Sequence, residues 1–186
     1  MKSNNKNIEI EFRSLFDKKK HDGLISFLSR NGEDLGQDDK DVYFFIMPTR
    51  LLKVVDNISF NSAKIVLKLN KIGSGSNFKE IEIPIDRKEI SRAVDFFKSL
   101  ELTDNVMRSF QQRRNFNYKG VEIAVKYSDV WGYHAELEIL IDSLEEKIAA
   151  ENKINAIAKE LNLKLMTDDE LKKFTTRAEE KHKHSV

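Results

Sequence analysis

The sequence predicts an α+β protein in which an eight-stranded antiparallel sheet closes into a β-barrel with a polar interior and covering helices. Three observations support this fold class. Eight segments alternate polar and apolar residues with a period of two, four others carry apolar residues at helical spacing, and the polar faces of the strands are strongly charged. Eight is also a number of strands at which an antiparallel sheet can close on itself.

The eight predicted strands follow one another along the chain with the same alternation. In the first strand, Ile10 and Phe12 face one side, while Glu9, Glu11 and Arg13 face the other. The later strands repeat this separation of an apolar face from a charged face. The predicted strands span residues 7–13, 41–47, 51–56, 63–70, 77–83, 108–118, 121–127 and 133–141.

Four segments are predicted to be helices, and three of them begin at a possible capping box. The predicted helices span residues 17–30, 87–101, 143–161 and 168–183. The predicted boxes pair Asp86 with Glu89, Asp142 with Glu145, and Thr167 with Glu170. The third helix is most simply an amphipathic cover for the barrel, and pairing in a homodimer is the alternative. Residues 73–76, Gly-Ser-Gly-Ser, indicate a hairpin turn or a short lid between two strands.

Composition narrows the class of protein and its partners. The chain has 186 residues, which predicts one domain over residues 1–175 followed by a polar tail over residues 176–186. Its net charge of +1 gives no reason to expect nucleic acid or a membrane surface as a partner. The absence of cysteine excludes disulfides and thiolate chemistry and fits a reducing compartment. With no apolar run near the ~18 residues of a membrane span, we expect a cytoplasmic protein.

The charges on the strands occur in a pattern that indicates a ligand. Pairs of glutamates separated by one residue occur at Glu9 and Glu11, at Glu80 and Glu82, and at Glu136 and Glu138. For any single strand, an ordinary solvent-facing polar surface explains such a pair. If the sheet closes with its apolar face outward, however, these charges line an interior channel, which is costly without a ligand and a cation to pair them. A triphosphate with a divalent metal ion is the ligand that this arrangement predicts.

The charged residues also follow an order that resembles a known family. That order is Glu9, Glu11 and Arg13; Asp41, Val42 and Tyr43; Leu52 to Val55; Lys68; Glu80 and Glu82; Arg113; and Gly132 with Glu136 and Glu138. Over residues 7–175 the chain resembles the CYTH superfamily, whose triphosphate tunnel fold is shared by class IV adenylyl cyclases, thiamine triphosphatases and inorganic triphosphatases. The resemblance is closest to the class IV adenylyl cyclase branch.

The resemblance implies a role for each charged position. The carboxylates implied to hold Mg²⁺ or Mn²⁺ are Glu9, Glu11, Glu136 and Glu138. The cations implied to bind the substrate phosphates are Arg13, Lys53, Lys68, Arg113 and Lys126. Among all of these, Glu9, Glu11 and Arg113 are implied to be catalytic, and the implied supporting residues of the tunnel are Glu80, Glu82 and Gln111.

The resemblance also implies an activity and leaves alternatives open. The first expectation is a class IV cyclase-like enzyme that converts ATP or a similar nucleoside triphosphate to a cyclic nucleotide and pyrophosphate. The second is a triphosphatase that hydrolyses inorganic, thiamine or nucleoside triphosphate. The third is a non-catalytic module that binds a nucleotide or polyphosphate.

Three positions depart from the family pattern and bear on these alternatives. Val55 replaces an arginine, Gln111 replaces the lysine two residues before Arg113, and Lys126 stands where an aspartate is usual. Asp129 lies close to that missing aspartate, but it has the opposite alternation and replaces it only if a bulge shifts the strand. The departures are consistent with a different substrate, with fewer phosphates, or with binding without turnover.

Aromatic residues before the last strand have two interpretations. Trp131 and Tyr133 are placed either to stack on a base or ring, or to pack as an aromatic cap on the barrel mouth. We favour the cap, because aromatic side chains serve more often as packing mass. His134 is interpreted as a structural residue rather than a general base.

Overall fold

A computed structural model describes residues 8–69 and 77–182 of the chain. The predicted turn at residues 73–76 lies outside these ranges. Within them the strands are β1 Ile8–Leu15, β2 Glu33–Gln37, β3 Lys40–Ile46, β4 Leu51–Asn57, β5 Ser62–Lys68, β6 Asn77–Ile85, β7 Val106–Tyr118, β8 Val121–Ser128 and β9 Gly132–Ile141. The helices are α1 Lys18–Asn31, α2 Ile90–Ser99, α3 Lys147–Glu160 and α4 Asp168–His182, with 3₁₀ turns at Arg87–Glu89 and Leu144–Glu146 before α2 and α3.

The strands form one antiparallel sheet that curls around a central cavity. Pairing follows the order β7, β3, β4, β5, β6, β1, β9 and β8, and β8 pairs in turn with β7. The join between β1 and β6 is short, since it comprises three register pairs in the described part of the chain, from Ile8–Lys79 to Ile10–Asn77. The curled antiparallel sheet is thus as predicted. It is a half-barrel rather than the closed barrel that the sequence predicted.

Strand β2 was not predicted from the sequence. Its residues, Glu-Asp-Leu-Gly-Gln, are mostly exposed and show no apolar face. Strand β2 pairs with residues 114–117 of β7, and β3 pairs with residues 106–111 along the same edge of β7. A register shift between Asp34 and Gly36 accompanies the positive φ of Gly36, which glycine adopts at little cost. Thus β2 and β3 act as one bent strand along β7.

The helices cover the apolar outer face of the sheet. Leu28 of α1 and Ile154 of α3 are fully buried against Ile10, Ile123 and Leu137 of the sheet. A second cluster joins α2 to β3 and β4. Because strand side chains alternate between faces, the charged residues next to these apolar ones point inward. This arrangement is the polar interior with covering helices that the sequence predicted.

The ends of the last two helices partly match the predicted caps. Thr167 and Glu170 form the predicted reciprocal box, with each backbone N–H donating to the other's side chain. At the start of the turn before α3, however, Ser143 accepts from the Glu145 N–H, so the predicted cap at Asp142 is wrong by one residue. Helix α4 continues to residue 182 and buries Ala178. The predicted tail over residues 176–186 therefore begins within a packed helix. Across the described residues, no helix has the length and apolarity required to cross a bilayer.

Candidate active site

The inner face of the sheet encloses a charged cavity of about 240 Å³. Every residue that the sequence analysis assigned to the site lines it: Glu9, Glu11, Arg13, Lys53, Lys68, Glu80, Glu82, Gln111, Arg113, Lys126, Glu136 and Glu138. Residues that it did not assign also line the cavity, among them Lys40, Lys64 and Glu122. The strands thus bring together acidic and basic side chains that are far apart in sequence.

On one side of the charged cavity, Lys68 of β5 is shared by three carboxylates. Its Nζ lies 3.1 Å from Glu9 Oε2, 3.5 Å from Glu11 Oε2 and 2.5 Å from Glu80 Oε1. Burial alone would lower the pKa of Lys68, but these three carboxylates raise it above its usual value. The Nζ of Lys53 lies 4.0 Å from Glu80 Oε1. Burial, followed by repulsion from Lys68, lowers the pKa of Lys53 to about 8. Lys68 therefore stays fully charged, whereas Lys53 can exchange its proton near neutral pH.

On the opposite side, Glu136 of β9 lies among three cations. Its carboxylate is 3.2 Å from Arg13 Nε, 3.0 Å from Lys126 Nζ and 3.8 Å from Arg113 Nη1. Burial would raise the pKa of Glu136, but Lys126, Arg13 and Arg113 hold it well below the usual value. Burial lowers the pKa of Lys126 to about 8. Glu136 is thus an ionised partner of the basic group.

Glu138 is placed differently, although it is only two residues away on the same strand. It is the register partner of Glu11 on β1 and of Glu122 on β8, so three carboxylates lie side by side on neighbouring strands. Among the described residues, no lysine or arginine nitrogen lies within 4.0 Å of the Glu138 carboxylate. Burial, followed by repulsion from Glu9, Glu11 and Glu122, raises its pKa to about 8. This is the most negative part of the charged cavity.

The oxygen ligands of this acidic region fit a hard divalent cation. Mg²⁺ and Mn²⁺ favour carboxylate and water oxygens, and Glu9, Glu11 and Glu138 supply carboxylates there. In the described part of the chain, no three acidic or histidine side chains are close enough together to form a complete set of ligands. Two of these carboxylates instead contact cations: Lys68 contacts both Glu9 and Glu11, and Arg13 contacts Glu11. Binding of a metal ion at this place requires these side chains to exchange partners.

Arg113 of β7 points its terminal nitrogens into the charged cavity. Its Nε donates to Asn115 Oδ1 at 2.7 Å and lies 3.3 Å from Asp38 Oδ2. Its Nη1 and Nη2 lie 3.8 Å from Glu136 and 3.6 Å from Glu122. Burial opposes the charge, but Glu136 and Asp38 keep the pKa of Arg113 raised. The contacts of Nε with Asp38 and Asn115 fix the guanidinium, and its two terminal nitrogens point at the space that a ligand would occupy.

The aromatic residues near β9 divide between the two faces. Trp131 lines the charged cavity and packs at a tilt against Phe174 of α4, with 4.8 Å between ring centres. The Arg13 guanidinium lies 5.6 Å from the centre of the Trp131 ring. Tyr133 instead packs against Tyr127, at 4.6 Å between ring centres, and against His21, and it does not line the cavity. Of the two aromatic residues considered for base stacking, only Trp131 is therefore placed to contact a ligand there.

His134 has the structural environment that the sequence analysis favoured. Its ring is buried, and its Nδ1 lies 2.9 Å from the Gly132 carbonyl oxygen. Burial and then Lys126 lower its pKa to about 3, so the ring is neutral near pH 7. A neutral, enclosed imidazole fits a structural part of the cavity wall.

A small apolar pocket adjoins the charged cavity beneath α4. It has a volume of about 50 Å³ and shares Phe44, Leu51 and Trp131 with the cavity. Thr175 and Ala178 of α4 form its other side. An aromatic ring needs a cavity of roughly 150 Å³, so this pocket is too small to hold a base.

The departures from the family pattern have distinct structural settings. Val55 packs with Val42 and Val66 in an apolar part of the cavity wall. Lys126 faces the cavity in regular register, opposite His134. Asp129 follows β8 and accepts a hydrogen bond from Ser109 at 3.1 Å, so it does not replace the missing carboxylate. The wall at Val55 is neutral, and position 126 contributes a cation.

Comparison with known proteins supports the fold. No family model and no curated protein matches the chain. A conserved hypothetical protein from Pyrococcus furiosus superposes with a TM-score of 0.68 at 24% identity, covering 84% of this chain and 91% of that one. A candidate adenylate cyclase from Vibrio parahaemolyticus gives 0.66 at 13% identity, covering 91% and 98%. A candidate adenylyl cyclase from Hippeastrum with a dominant triphosphatase activity gives 0.56 at 15%, covering 86% and 89%. The chain therefore shares its fold with these solved structures, in agreement with the fold that the resemblance to CYTH proteins predicted.

Proposed function

We propose that the protein binds a triphosphate together with Mg²⁺ or Mn²⁺ in the charged cavity and acts on it as an enzyme. The observation that carries this proposal is the burial of Glu11, Arg13, Lys68 and Lys126 on three different strands around one space. Removing such charges from water is costly, and ion pairs within the protein offset that cost only in part. A polyanion with its metal ion supplies opposite charges to both the basic and the acidic groups.

Each side of the charged cavity has a part in this proposal. Arg13, Arg113 and Lys126 bind phosphate oxygens, exchanging Glu136 for the ligand as a partner. Glu9, Glu11 and Glu138 hold the metal ion, and Glu136 joins them only by releasing its cations. When bound, the metal ion neutralises charge on the phosphate oxygens and helps to orient the triphosphate. The protein's contribution is positioning and charge neutralisation, which dominate phosphoryl transfer.

Cyclisation is the first reaction that we propose. The ribose 3′-OH of a nucleoside triphosphate such as ATP attacks the α-phosphorus and loses its proton to solvent or to the leaving group. The bond from the α-phosphorus to the bridging oxygen breaks, and pyrophosphate leaves. Support comes from the fold shared with the candidate adenylate cyclase from Vibrio parahaemolyticus.

Hydrolysis is the second candidate reaction in the same cavity. Water attacks the terminal phosphorus, the bond from that phosphorus to the bridging oxygen breaks, and the diphosphate part of the substrate leaves. The attacked phosphoryl group, with the oxygen of the water, is released as inorganic phosphate, and the proton of the water passes to solvent or to the leaving group. The Hippeastrum protein of this fold, with its dominant triphosphatase activity, favours this candidate. The third alternative is binding without turnover, for which the neutral wall at Val55 is the motivating observation.

Product analysis tests the proposal and separates its alternatives. The protein is incubated with ATP, inorganic tripolyphosphate or thiamine triphosphate, with Mg²⁺, Mn²⁺ or a chelator. Cyclic AMP with pyrophosphate indicates cyclisation, released phosphate indicates hydrolysis, and binding without products indicates the third alternative. Failure to bind any triphosphate contradicts the proposal.

The variant Glu11→Gln links the activity to the charged cavity. It keeps the size of the side chain but removes a carboxylate that contacts Arg13 and Lys68, so we expect metal-dependent turnover to fall at least about a hundredfold. The matched control is Glu89→Gln, because Glu89 pairs with Arg92 on the exposed surface of the chain. Circular dichroism checks that both variants are folded. Equal turnover in Glu11→Gln and the control would remove Glu11 from the mechanism.

A further inference from the structure

We infer that Lys40 is a further phosphate-binding residue of the charged cavity, and that Asp38 positions Lys40 together with Arg113. This inference rests on the proposed function, since it concerns how the same cavity holds a triphosphate. Neither Lys40 nor Asp38 is among the charged residues that the sequence analysis assigned to the site.

Lys40 enters the charged cavity from the first position of β3. It lines the cavity, and its side chain is 17% exposed. Its Cα is the register partner of Gln111 on β7, so both side chains leave the same face of the sheet next to each other. Burial and the nearby charges of Arg113 and Lys64 lower its pKa. Three cations thus face the same part of the cavity, which favours an anion between them.

Asp38 is the buried carboxylate that connects two of these cations. It lies between β2 and β3, is 5% exposed, and has its Oδ2 at 2.8 Å from Lys40 Nζ and 3.3 Å from Arg113 Nε. Asn57 donates to its other oxygen at 2.6 Å, and Asn115 donates to Oδ2 at 3.2 Å. With hydrogen bonds on both oxygens, the carboxylate has a fixed orientation.

The backbone fastens this segment to Arg113 as well. The Asp38 N–H donates to the Arg113 carbonyl oxygen at 2.8 Å, and the Arg113 N–H donates to Asp39 Oδ1 at 2.9 Å. Because Asp38 lies behind Arg113 Nε, the two terminal nitrogens of the guanidinium remain directed into the charged cavity. A bidentate contact to phosphate needs this orientation.

Gln111 provides a way to test whether the charge of Lys40 matters. If Lys40 binds phosphate, a lysine at its register partner can supply the same charge from the adjacent strand. If Lys40 only stabilises the bend at Asp38, a lysine at position 111 cannot replace it. We therefore compare Lys40→Gln with the double variant Lys40→Gln/Gln111→Lys.

The measurement is the dissociation constant for inorganic tripolyphosphate, determined by calorimetry in the presence of a chelator so that no turnover occurs. Loss of one charge-assisted contact in Lys40→Gln should weaken binding by about tenfold to a hundredfold. The double variant should recover to within about threefold of the unmodified protein, because the charge returns to the same place. Lys88→Gln, which alters an exposed lysine outside the cavity, is the control and should bind normally.

Asp38→Asn tests the positioning role. It keeps the shape but removes the charge between Lys40 and Arg113, and we expect tripolyphosphate to bind about tenfold more weakly. When Asp38→Asn is introduced into the Lys40→Gln variant, tripolyphosphate binding should weaken by a smaller factor than in the unmodified protein. The reason is that Lys40, one of the two cations that Asp38 positions, is already absent. The matched control is Asp41→Asn, since Asp41 pairs with Arg108 outside the cavity.

The outcomes separate this inference from the proposed function. Weakened binding in Lys40→Gln with recovery in the double variant supports the role of Lys40. Normal binding in Lys40→Gln, or weakened binding without recovery, overturns it, while normal tripolyphosphate binding by the unmodified protein leaves the proposed function standing. Absence of tripolyphosphate binding by the unmodified protein in the chelator overturns the inference, and absence of binding with added Mg²⁺ as well overturns the proposed function. Equal binding by Asp38→Asn and Asp41→Asn overturns the positioning role alone.

Discussion

Two glutamates on strand β9 have opposite pKa shifts because their surroundings differ. Glu136 and Glu138 point into the same charged cavity, yet Glu136 lies among Arg13, Lys126 and Arg113, whereas Glu138 lies beside other carboxylates. The pKa of Glu136 is therefore depressed and that of Glu138 is raised. One carboxylate balances the basic group, and the other keeps its proton to a higher pH than a free glutamate does.

This difference predicts how stability depends on pH. The pKa of Glu138 rises from the usual 4.5 to about 8 on folding, so the unfolded chain loses its proton first and stability falls as pH rises through that range. Glu138→Gln cannot ionise and should escape this loss. We expect its melting temperature to exceed that of the unmodified protein by at least ~2 °C at pH 9 in a chelator, with a smaller difference at pH 5.

Glu136→Gln is the matched control for this prediction. The depressed pKa of Glu136 means that its charge stabilises the fold at pH values above its usual range and ceases to do so in acid. Glu136→Gln removes the carboxylate that contacts both Arg13 and Lys126, so this variant should melt lower at both pH 5 and pH 9. Melting curves of Glu138→Gln that follow the unmodified protein at both pH values would contradict the assigned environment.

Residue alternation was enough to predict much of the charged cavity, and its failure at Lys40 has a clear reason. Glu9, Glu11 and Arg13 alternate with apolar residues, so the inward face of their strand can be identified directly. Strand β3 is apolar on both faces after its first residues, so its sequence does not show which side chains point into the cavity. Lys40 faces inward because of its register with β7, and register depends on a neighbour that the local sequence does not specify.

At the scale of elements, the connection of α4 to the cavity wall is the feature with the clearest consequence. Phe174 of α4 packs on Trp131, and Trp131 in turn lies under Arg13 of the charged cavity. The reciprocal box of Thr167 and Glu170 fixes the start of this helix. Because α4 is long and mostly polar, its stability depends on this cap and on a narrow buried stripe.

Thr167→Ala should loosen α4 and expose the cavity wall. Loss of an N-cap side chain costs about 1 kcal/mol, which is enough to raise the opening of the helix about fivefold. Trp131 is the single tryptophan of the chain, so its emission reports directly on the contact with Phe174. We expect a red shift and faster amide exchange in α4. Ser143→Ala, which removes the cap before α3, is the control and should leave the emission of Trp131 unchanged.

Strand β2 shows why elements without an apolar face escape sequence-based prediction. Its residues are exposed, and its pairing depends on the length of β7, which extends beyond the end of β3. The hydrogen-bonding groups at the far end of β7 need a partner, and the chain after α1 supplies it. The sequence of residues 33–37 contains no signal for this, because the requirement lies in β7.

For the whole molecule, strand number and strand offset contribute separately to the shape of the sheet. The order of pairing returns from β8 to β7, but the sheet is a half-barrel rather than the closed barrel that the sequence predicted. The length of each join depends on how far adjacent strands are offset, and β1 and β6 overlap over only three pairs in the described residues. Alternation carries no information on this offset, so closure could not be predicted from it.

The charge of the cavity predicts that ligand binding stabilises the entire fold. A ligand that binds only the folded chain at a hundredfold excess over its dissociation constant adds about 2.7 kcal/mol, or roughly 5–10 °C in melting temperature for a protein of this size. Inorganic tripolyphosphate with Mg²⁺ should produce such a shift at low ionic strength, and phosphate alone a smaller one. Sodium chloride at equal ionic strength is the control, because screening of exposed charges does not depend on the shape of the anion. If sodium chloride raised the melting temperature as much as tripolyphosphate does, the charged cavity would have no specific affinity for a chain of phosphates.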